Sequence, residues 1–296
     1  MFDIMAKKLL DNHMNALEEL RERVDEESIT LIQMVGVPRS MSTALGRSLN
    51  ETELPSVYVN EPFNRDNMDI EIAARFILDA YEAHIPTDTH KGLIVTKNMA
   101  SYMTDTALKG MESVASVTIW NIRHPYIQIG SLLTRIVNDL RAGPGEDRIA
   151  QADIGPYLPE ACDYLLNSPK SLNFSKTGWE TIGRHAETAT DTTRLSVDSH
   201  DYIYDTVSCL KSICTRIGLP YSASMHTGWK HTFVNVVNRD NLAETERSAW
   251  TQQAAQSVGV LTIERQALDV ETLPESLQEH ITSVALPVYE RLRTLR

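Results

Sequence analysis

The sequence contains few cysteines and no long apolar run. Of its 296 residues only 3 are cysteines, Cys162, Cys209 and Cys214, and no two of them form a Cys-x-x-Cys pair. This spacing excludes a disulfide framework, and without a His/Cys cluster of zinc spacing we expect no metal. Apolar stretches are short and interrupted by charges, and residues 1–8 lack a basic segment followed by a long apolar core, so we expect neither a transmembrane helix nor secretion. We therefore expect a cytoplasmic protein.

Positive charge is also scarce. The chain has 28 Lys and Arg residues against 40 Asp and Glu residues, which gives a formal net charge of −12. Nucleic acids bind to basic patches, so this balance argues against a nucleic-acid partner. The acidity has two interpretations: it keeps the surface soluble, or, if it extends into the active site, it favours a small cationic or neutral substrate. We expect no membrane partner, and the oligomeric state stays open.

The most informative pattern is an apolar run followed by a loop and a helix. Residues 29–35 predict a buried strand, residues 36–43 a tight loop and residues 44–49 a helix. N–H groups at a helix start attract an anion, and Arg39 adds a fixed positive charge. Met41-Ser42-Thr43 stands where a Walker loop has Gly-Lys-Ser/Thr. The pattern therefore predicts a nucleotide phosphate site without NTP hydrolysis.

Apolar strands alternate with amphipathic helices along the chain. The predicted strands are 29–35, 56–59, 92–96, 114–122 and 195–198, and the predicted helices include 70–83 and 202–217. This alternation predicts a three-layer α/β/α fold with a central parallel sheet. We expect residues 1–27 to form an N-terminal amphipathic helix and residues 28–296 a single domain, with an exposed loop at 141–147.

A second anion signal follows the strand that ends near residue 122. Arg123 leaves this strand, Pro125 suits the first turn of a helix, and Ser131 lies about two turns along it. Ligands of open parallel sheets bind beyond the carboxyl ends of the strands. We therefore expect Arg39 and Arg123 to converge at that edge.

Together these motifs resemble the sulfotransferases that use 3′-phosphoadenosine 5′-phosphosulfate (PAPS), in their bacterial small-molecule branch. The loop Pro38-Arg39-Ser40-Met41-Ser42-Thr43 is similar to that family's 5′-phosphosulfate loop. Arg123 and Ser131 are similar to the residues that hold the 3′-phosphate. The resemblance extends through residues 60–63, 94–98, 197–199 and 218–220, and it implies a P-loop-like sulfotransferase fold.

The resemblance also implies roles and departures. Met41 replaces a common glycine, and Asn98 follows Lys97 where animal enzymes have a catalytic histidine. Glu61, in a Glu-Pro pair after the second strand, is then the implied general base. Lys230 belongs to a Gly-x-Trp-Lys-like element that closes over the cofactor or the acceptor, although Trp229 could equally be a core residue.

The resemblance implies that the chain moves a sulfuryl group from PAPS to a hydroxyl or amine of a small molecule, leaving adenosine 3′,5′-bisphosphate (PAP). Arg39 and Lys97 would neutralise charge on the leaving group, with Ser40, Met41, Ser42 and Thr43 around the same phosphate. A polar cationic acceptor, such as a guanidinium alkaloid toxin of secondary metabolism, would suit the net acidity.

Other interpretations stay open at this point. The chain could be a P-loop small-molecule kinase or NTPase, or a non-catalytic nucleotide-binding protein. Arg39 could be a surface cation in a turn, and Lys97 an ordinary residue at a strand end. Glu61 could cap or form a salt bridge near the loop, and Arg123 could simply pair with a carboxylate. The sequence identifies neither the acceptor nor whether sulfation is on oxygen or nitrogen.

Overall fold

A six-stranded sheet forms the centre of the protein, in the order β5-β4-β1-β3-β2-β6. The computed structural model describes residues 15–26, 29–63, 69–86, 91–141, 149–167, 177–187, 194–229, 236–238, 257, 259, 260, 267 and 269–295. The strands are β1 (Thr30–Gly36), β2 (Ser56–Asn60), β3 (Leu93–Met99), β4 (Val117–Ile122), β5 (Arg194–Asp198) and β6 (Val236–Asn238). All their pairings are parallel.

Helices connect the strands and cover the sheet. They are α1 (Ala16–Glu26), α2 (Ser42–Asn50), α3 (Ile70–His84), α4 (Asp105–Glu112), α5 (Pro125–Arg141), α6 (Leu158–Asn167), α7 (Trp179–Glu187), α8 (Ser199–Tyr204), α9 (Thr206–Ile217), α10 (Glu275–His280) and α11 (Leu286–Arg293). A π-helical segment, Ile281–Ala285, joins α10 to α11. No helix within the described ranges is both long and apolar enough to cross a membrane.

Two apolar clusters lie on opposite faces of the sheet, because side chains alternate along each strand. On one face Val35, Ile94 and Trp120 pack against α1, α3, α4, α7 and α11. On the other face Met34 and Val95 pack against α2, α8 and α9. The predicted α/β architecture, a parallel sheet between two helical layers, is confirmed.

Several predicted boundaries differ from the observed ones. The third strand continues to Met99, so Lys97 and Asn98 belong to the strand and do not follow it. The fourth strand begins at Val117, three residues later than predicted. The predicted helix 202–217 is divided at Asp205, whose ψ of 56° is not helical. Strand β6 and the helices α4, α6, α7, α10 and α11 were not predicted.

Two predictions fall partly beyond the described residues. Helix α1 is observed over Ala16–Glu26, while residues 1–14 lie outside the described part of the chain. Of the predicted loop 141–147, Arg141 is the last residue of helix α5, and residues 142–147 also lie outside the described part of the chain. A single domain over residues 28–296 stays a prediction.

Candidate functional site

The loop between β1 and α2 has an unusual backbone. Arg39 and Met41 have positive φ angles of 68° and 62°, a region that side chains other than glycine rarely adopt. Met41 is the N-cap of α2, and its side chain makes no capping hydrogen bond. The first turn contains no acidic residue. The helix start therefore offers N–H groups and a positive dipole end without an N-cap acceptor or a competing carboxylate.

Two buried amide side chains hold the loop between β1 and α2 by hydrogen bonds. Asn121, in β4, accepts a hydrogen bond from the Ser40 hydroxyl at 3.0 Å and donates to the Val197 carbonyl at 3.3 Å. Gln128, in α5, donates to the Pro38 carbonyl at 3.0 Å and accepts from the Trp179 indole at 3.4 Å. Both amides are fully buried. The loop is thus held in one conformation by groups from two elements.

The predicted anion residues meet in a single cluster. Arg39 Nε donates to Ser131 Oγ at 3.2 Å, and Arg123 donates to the Arg39 carbonyl at 2.9 Å. Arg123 and Ser131 are buried. The expected convergence of Arg39 and Arg123 is therefore observed. The two anion sites are contiguous, because α5 starts at Pro125 and carries Ser131 back toward the loop.

Lys97 and Glu61 form an ion pair at the ends of neighbouring strands. Lys97 lies opposite Asn60 in the β2–β3 register, and the Glu61 N–H donates to the Lys97 carbonyl at 2.7 Å. Glu61 has a φ of 54°, and its carboxylate accepts from Lys97 Nζ. The Lys97 side chain is 1% exposed and that of Glu61 31%. A charged donor and a more accessible carboxylate thus lie side by side.

Asn98 has a different neighbourhood from Lys97, because successive strand residues face opposite sides of a sheet. Its Oδ1 accepts from the Phe63 N–H at 3.3 Å, and its side chain is fully buried. Asn98 therefore fixes the segment that follows Glu61. This contact supplies a structural role for the residue at the position where the resemblance implies a histidine.

Tyr58 links the loop to the Glu61 segment. Its side chain is hydrogen-bonded to that of Thr43, and its hydroxyl donates to Asn60 Oδ1 at 3.1 Å. Burial, together with the nearby Glu61 charge, raises the pKa of Tyr58 far above its ordinary value, so the hydroxyl stays a donor. The Tyr58 ring packs directly against Gly46, because a Cβ atom at position 46 would lie only 2.5 Å from the ring. Thr43 and Glu61 thus share one neighbour.

Trp229 is a core residue, which settles one of the two alternatives. It is 2% exposed, and its indole donates to the Met225 carbonyl at 3.0 Å. The guanidinium of Arg47, in α2, lies 4.5 Å from its ring centre. Burial lowers the pKa of Arg47. Lys230, predicted to bind the cofactor, lies outside the described residues.

His124, the residue after Arg123, packs against two tyrosine rings. Its ring centre lies 5.2 Å from that of Tyr126 and 5.1 Å from that of Tyr289, in α11. The Tyr289 hydroxyl donates to Asp198 Oδ2 at 2.6 Å. Burial lowers the pKa of His124. These contacts indicate a packing role for this histidine.

We expect acidification to destabilise the protein through His124. Burial lowers its folded-state pKa from the ordinary value of 6.5, so the unfolded chain binds the proton first as the pH falls. The contribution of His124 to the free energy of unfolding is therefore complete above about pH 6.5 and decreases as the pH falls toward the folded-state pKa. Urea unfolding between about pH 7.5 and 5.5 measures this. His124→Phe should show a smaller loss over that interval; an equal loss would assign the effect to other groups.

Sequence reasoning missed Asn121, Gln128, Tyr58 and Arg47. Each is a polar residue within an apolar strand or on the buried side of a helix, and each is buried. Such positions are a signal, because buried polar groups need partners. The partners themselves depend on which elements are adjacent in space. Among the described residues no group of three His, Cys, Asp or Glu side chains could hold a metal ion.

Comparisons with known proteins found similarity at the level of solved structures. No family model and no curated protein matches the sequence. The sulfotransferase domain from the curacin biosynthetic pathway is 14% identical, with a TM-score of 0.44, over 86% of this chain and 96% of that one. The sulfotransferase domain from the Synechococcus PCC 7002 olefin synthase is 14% identical, with a TM-score of 0.44, over 90% and 94%.

A third similar structure is mouse sulfotransferase SULT7A1 complexed with PAP. It is 16% identical, with a TM-score of 0.40, over 70% of this chain and 65% of that one. TM-scores of this size carry no argument about chemistry. The strand pairings by themselves establish the α/β architecture.

Proposed function

We propose that this protein is a PAPS-dependent sulfotransferase that acts on a small molecule. One observation carries the proposal: the partly exposed Arg39 and the buried Arg123 and Ser131 form one hydrogen-bonded cluster at a loop that leads into a helix start. The Lys97–Glu61 pair lies at the same edge of the sheet. A polyanionic donor needs the first group of residues, and proton removal from an acceptor needs a carboxylate such as Glu61.

The residues fit the phosphosulfate end of PAPS. The N–H groups of the first turn of α2, with the hydroxyls of Ser42 and Thr43, would bind this end, because a helix start without an acidic residue attracts an anion. Arg39 lies in the same loop, and Arg123, which donates to the Arg39 carbonyl, would supply a second guanidinium for a second phosphate. PAPS has such a second phosphate on its ribose. A ligand with two anionic groups therefore explains both arginines.

The proposed reaction is an in-line displacement at sulfur. The acceptor oxygen or nitrogen forms a bond to the sulfur of PAPS, while the bond from sulfur to the bridging oxygen breaks. The electron pair leaves with PAP, and the acceptor proton goes to Glu61. Arg39 and Lys97 stabilise the charge that develops on the leaving phosphate, and Lys97 turns from the Glu61 carboxylate to do so.

The acceptor we propose is a free, polar and cationic small molecule, such as a guanidinium alkaloid of secondary metabolism. The net charge of −12 and the 31% exposure of Glu61 support a positively charged acceptor, because a carboxylate attracts such a group. A reducing cytoplasm is the proposed location, and it suits the buried thiols of Cys162 and Cys214, whose pKa burial raises to about 11.

Ligand-dependent melting separates this function from a kinase or NTPase. We expect PAP to raise the melting temperature and ATP–Mg²⁺ to leave it unchanged, because only a ligand of the native state stabilises by mass action. Stabilisation by ATP–Mg²⁺ alone would overturn the proposal. Incubation with PAPS and candidate metabolites, followed by mass spectrometry for the gain of one SO₃, then tests transfer itself.

Arg123→Ala should weaken PAP binding by about 2–4 kcal/mol and leave 5′-AMP binding nearly unchanged, because 5′-AMP lacks the second phosphate. Calorimetry measures both affinities. Arg123 also supports the loop through the Arg39 carbonyl, so a matched control is needed. Gln128→Met removes the comparable support of the Pro38 carbonyl without removing charge, and it should affect both ligands equally. Equal losses for the two ligands in Arg123→Ala would exclude the 3′-phosphate role.

A further inference from the structure

The ion pair between Lys97 and Glu61 lies between the first strand and the segment that follows the second. Lys97 comes two residues after Val95 in β3, so its side chain points to the same side of the sheet as Val95. In the parallel register Lys97 lies opposite Met34 of β1 on one side and opposite Asn60 of β2 on the other. The lysine is therefore placed between the strand that leads to the phosphate loop and the strand that leads to Glu61.

The buried ammonium of Lys97 depends on its partner. Its side chain is 1% exposed, and within the described part of the chain Glu61 is its one charged partner. Removing a charge from water is costly unless an opposite charge compensates for the lost hydration. Lys97 can therefore leave Glu61 only when another anion takes the place of the carboxylate.

The two members of the pair differ in their freedom to move. The Glu61 N–H donates to the Lys97 carbonyl at 2.7 Å, and the Phe63 N–H donates to Asn98 Oδ1 at 3.3 Å, so the backbone around Glu61 is tied to β3 at two points. Pro62, between these points, has a fixed φ and stiffens the segment further. Lys97 instead reaches its partner through a flexible stem of methylene groups. Separation of the pair therefore moves the ammonium and leaves the carboxylate in place.

The start of helix α2 lies on the side of the sheet to which Lys97 points. This helix packs on the apolar cluster that contains Val95. In its first turn Thr43 is hydrogen-bonded to Tyr58, whose hydroxyl donates at 3.1 Å to Asn60, the residue opposite Lys97. An anion that binds to the N–H groups of this first turn is therefore on the side from which Lys97 can approach it.

We propose that Lys97 prevents Glu61 from acting as a base until the sulfuryl donor is bound. The 5′-phosphosulfate group of the donor, bound at the start of α2, takes the ammonium from the carboxylate, and Glu61 then accepts the acceptor and its proton. A cationic acceptor that bound to Glu61 first would leave Lys97 buried without a counter-charge, so the donor binds before the acceptor. This inference rests on the proposed function, because it needs a donor with a phosphate at the helix start.

Carbodiimide coupling detects the ion pair without any turnover. The reagent converts the Glu61 carboxylate into an acylurea, the Lys97 amine attacks the acyl carbon, and the urea leaves, so that the protein gains an amide bond and loses one water. The acylurea is neutral and removes the counter-charge of Lys97, which favours the unprotonated amine that this attack requires. Glycinamide is added as a competing amine, and peptide mapping by mass spectrometry measures both products.

We expect saturating PAP to lower the yield of the Lys97–Glu61 amide roughly tenfold and to raise glycinamide labelling of Glu61 by a similar factor. Adenosine 3′-monophosphate is the matched ligand, because it lacks the 5′-phosphate, and it should leave the amide yield unchanged. Glu160 is the internal reference: it pairs with Arg141, its side chain is 48% exposed, and its labelling should not respond to either nucleotide.

Lys97→Met tests whether the ammonium is what restrains Glu61. Without it, glycinamide should label Glu61 equally with and without PAP, at the level of the PAP-bound wild type. Labelling that still rises with PAP in this variant would overturn the inference. If the variant does not fold, the wild-type yields decide: no amide in the free protein, or an amide that adenosine 3′-monophosphate suppresses as strongly as PAP, overturns it as well.

Melting temperatures of the same samples separate this inference from the proposed function. Stabilisation by PAP together with an unchanged amide yield would overturn the inference alone, because the nucleotide then binds without moving Lys97. PAP that gives neither stabilisation nor a change in the amide yield would overturn both.

Discussion

Replacing Arg39 with glycine should lower sulfuryl transfer by about 10³-fold while leaving the fold at least as stable as before. In the proposed reaction the side chain stabilises charge on the leaving phosphate, where one donor contributes about 10²–10³ in rate. The backbone gains, because Arg39 has a φ of 68° and glycine adopts this region without the cost of about 1–2 kcal/mol that a side chain brings. Single-turnover rates and urea unfolding measure the two effects.

Arg39→Lys is the matched control for charge. A lysine keeps the positive charge and the same backbone cost, but it lacks the planar pair of donors that a phosphate accepts. We expect Arg39→Lys to transfer the sulfuryl group faster than Arg39→Gly but more slowly than the wild type. Its free energy of unfolding should equal that of the wild type, without the increase expected for glycine. A rate in Arg39→Gly equal to that of the wild type would show that the loop is not the site of transfer.

Glu61→Gln should reduce the single-turnover rate by about 10²-fold, with PAP affinity preserved. Glutamine has the shape of glutamate but cannot accept the acceptor proton. An acceptor with a more acidic hydroxyl or amine needs less help, so the deficit should shrink along a series of increasingly acidic acceptors. A rate that is unchanged for every acceptor would leave Glu61 with a positioning role only.

Glu61→Gln should also change the stability of the protein, because Glu61 forms an ion pair with Lys97. Lys97 is 1% exposed, so Glu61→Gln leaves a buried ammonium without its carboxylate, at a cost of about 1–3 kcal/mol. Lys97→Met instead leaves the Glu61 carboxylate without Lys97, but this carboxylate is 31% exposed and stays solvated. We therefore expect Glu61→Gln to be the less stable of the two variants. Equal stabilities would mean that Lys97 does not depend on Glu61 for its charge.

The loop and the arginines could be predicted because their signals are local. A buried strand, a Pro-Arg-Ser loop and a helix start are contiguous in sequence, and so are Arg123, Pro125 and the helix to Ser131. Their convergence followed from one topological rule, that ligands bind beyond the carboxyl ends of parallel strands.

The remainder of the site depends on contacts between distant elements. The pairing of Glu61 with Lys97 required the β2–β3 register, and a boundary error at residue 97 concealed that Lys97 lies inside a strand. Gln128 contacts Pro38 across 90 residues. Periodicity can mark Gln128 as buried, but it cannot identify the carbonyl that it meets.

The hydrogen bond between Tyr289 and Asp198 has a consequence for synthesis on the ribosome. The two residues are 91 positions apart, and Arg293 lies 3.7 Å from the same carboxylate. Strands β1 to β5 all leave the ribosome before residue 289 does, so the sheet can pair while Asp198 and His124 still lack their covering helix. Nascent chains arrested before α11 should therefore have a formed sheet, in which His124 and Asp198 lack their contacts with Tyr289. Ligand affinity should appear in one late step, when α11 emerges.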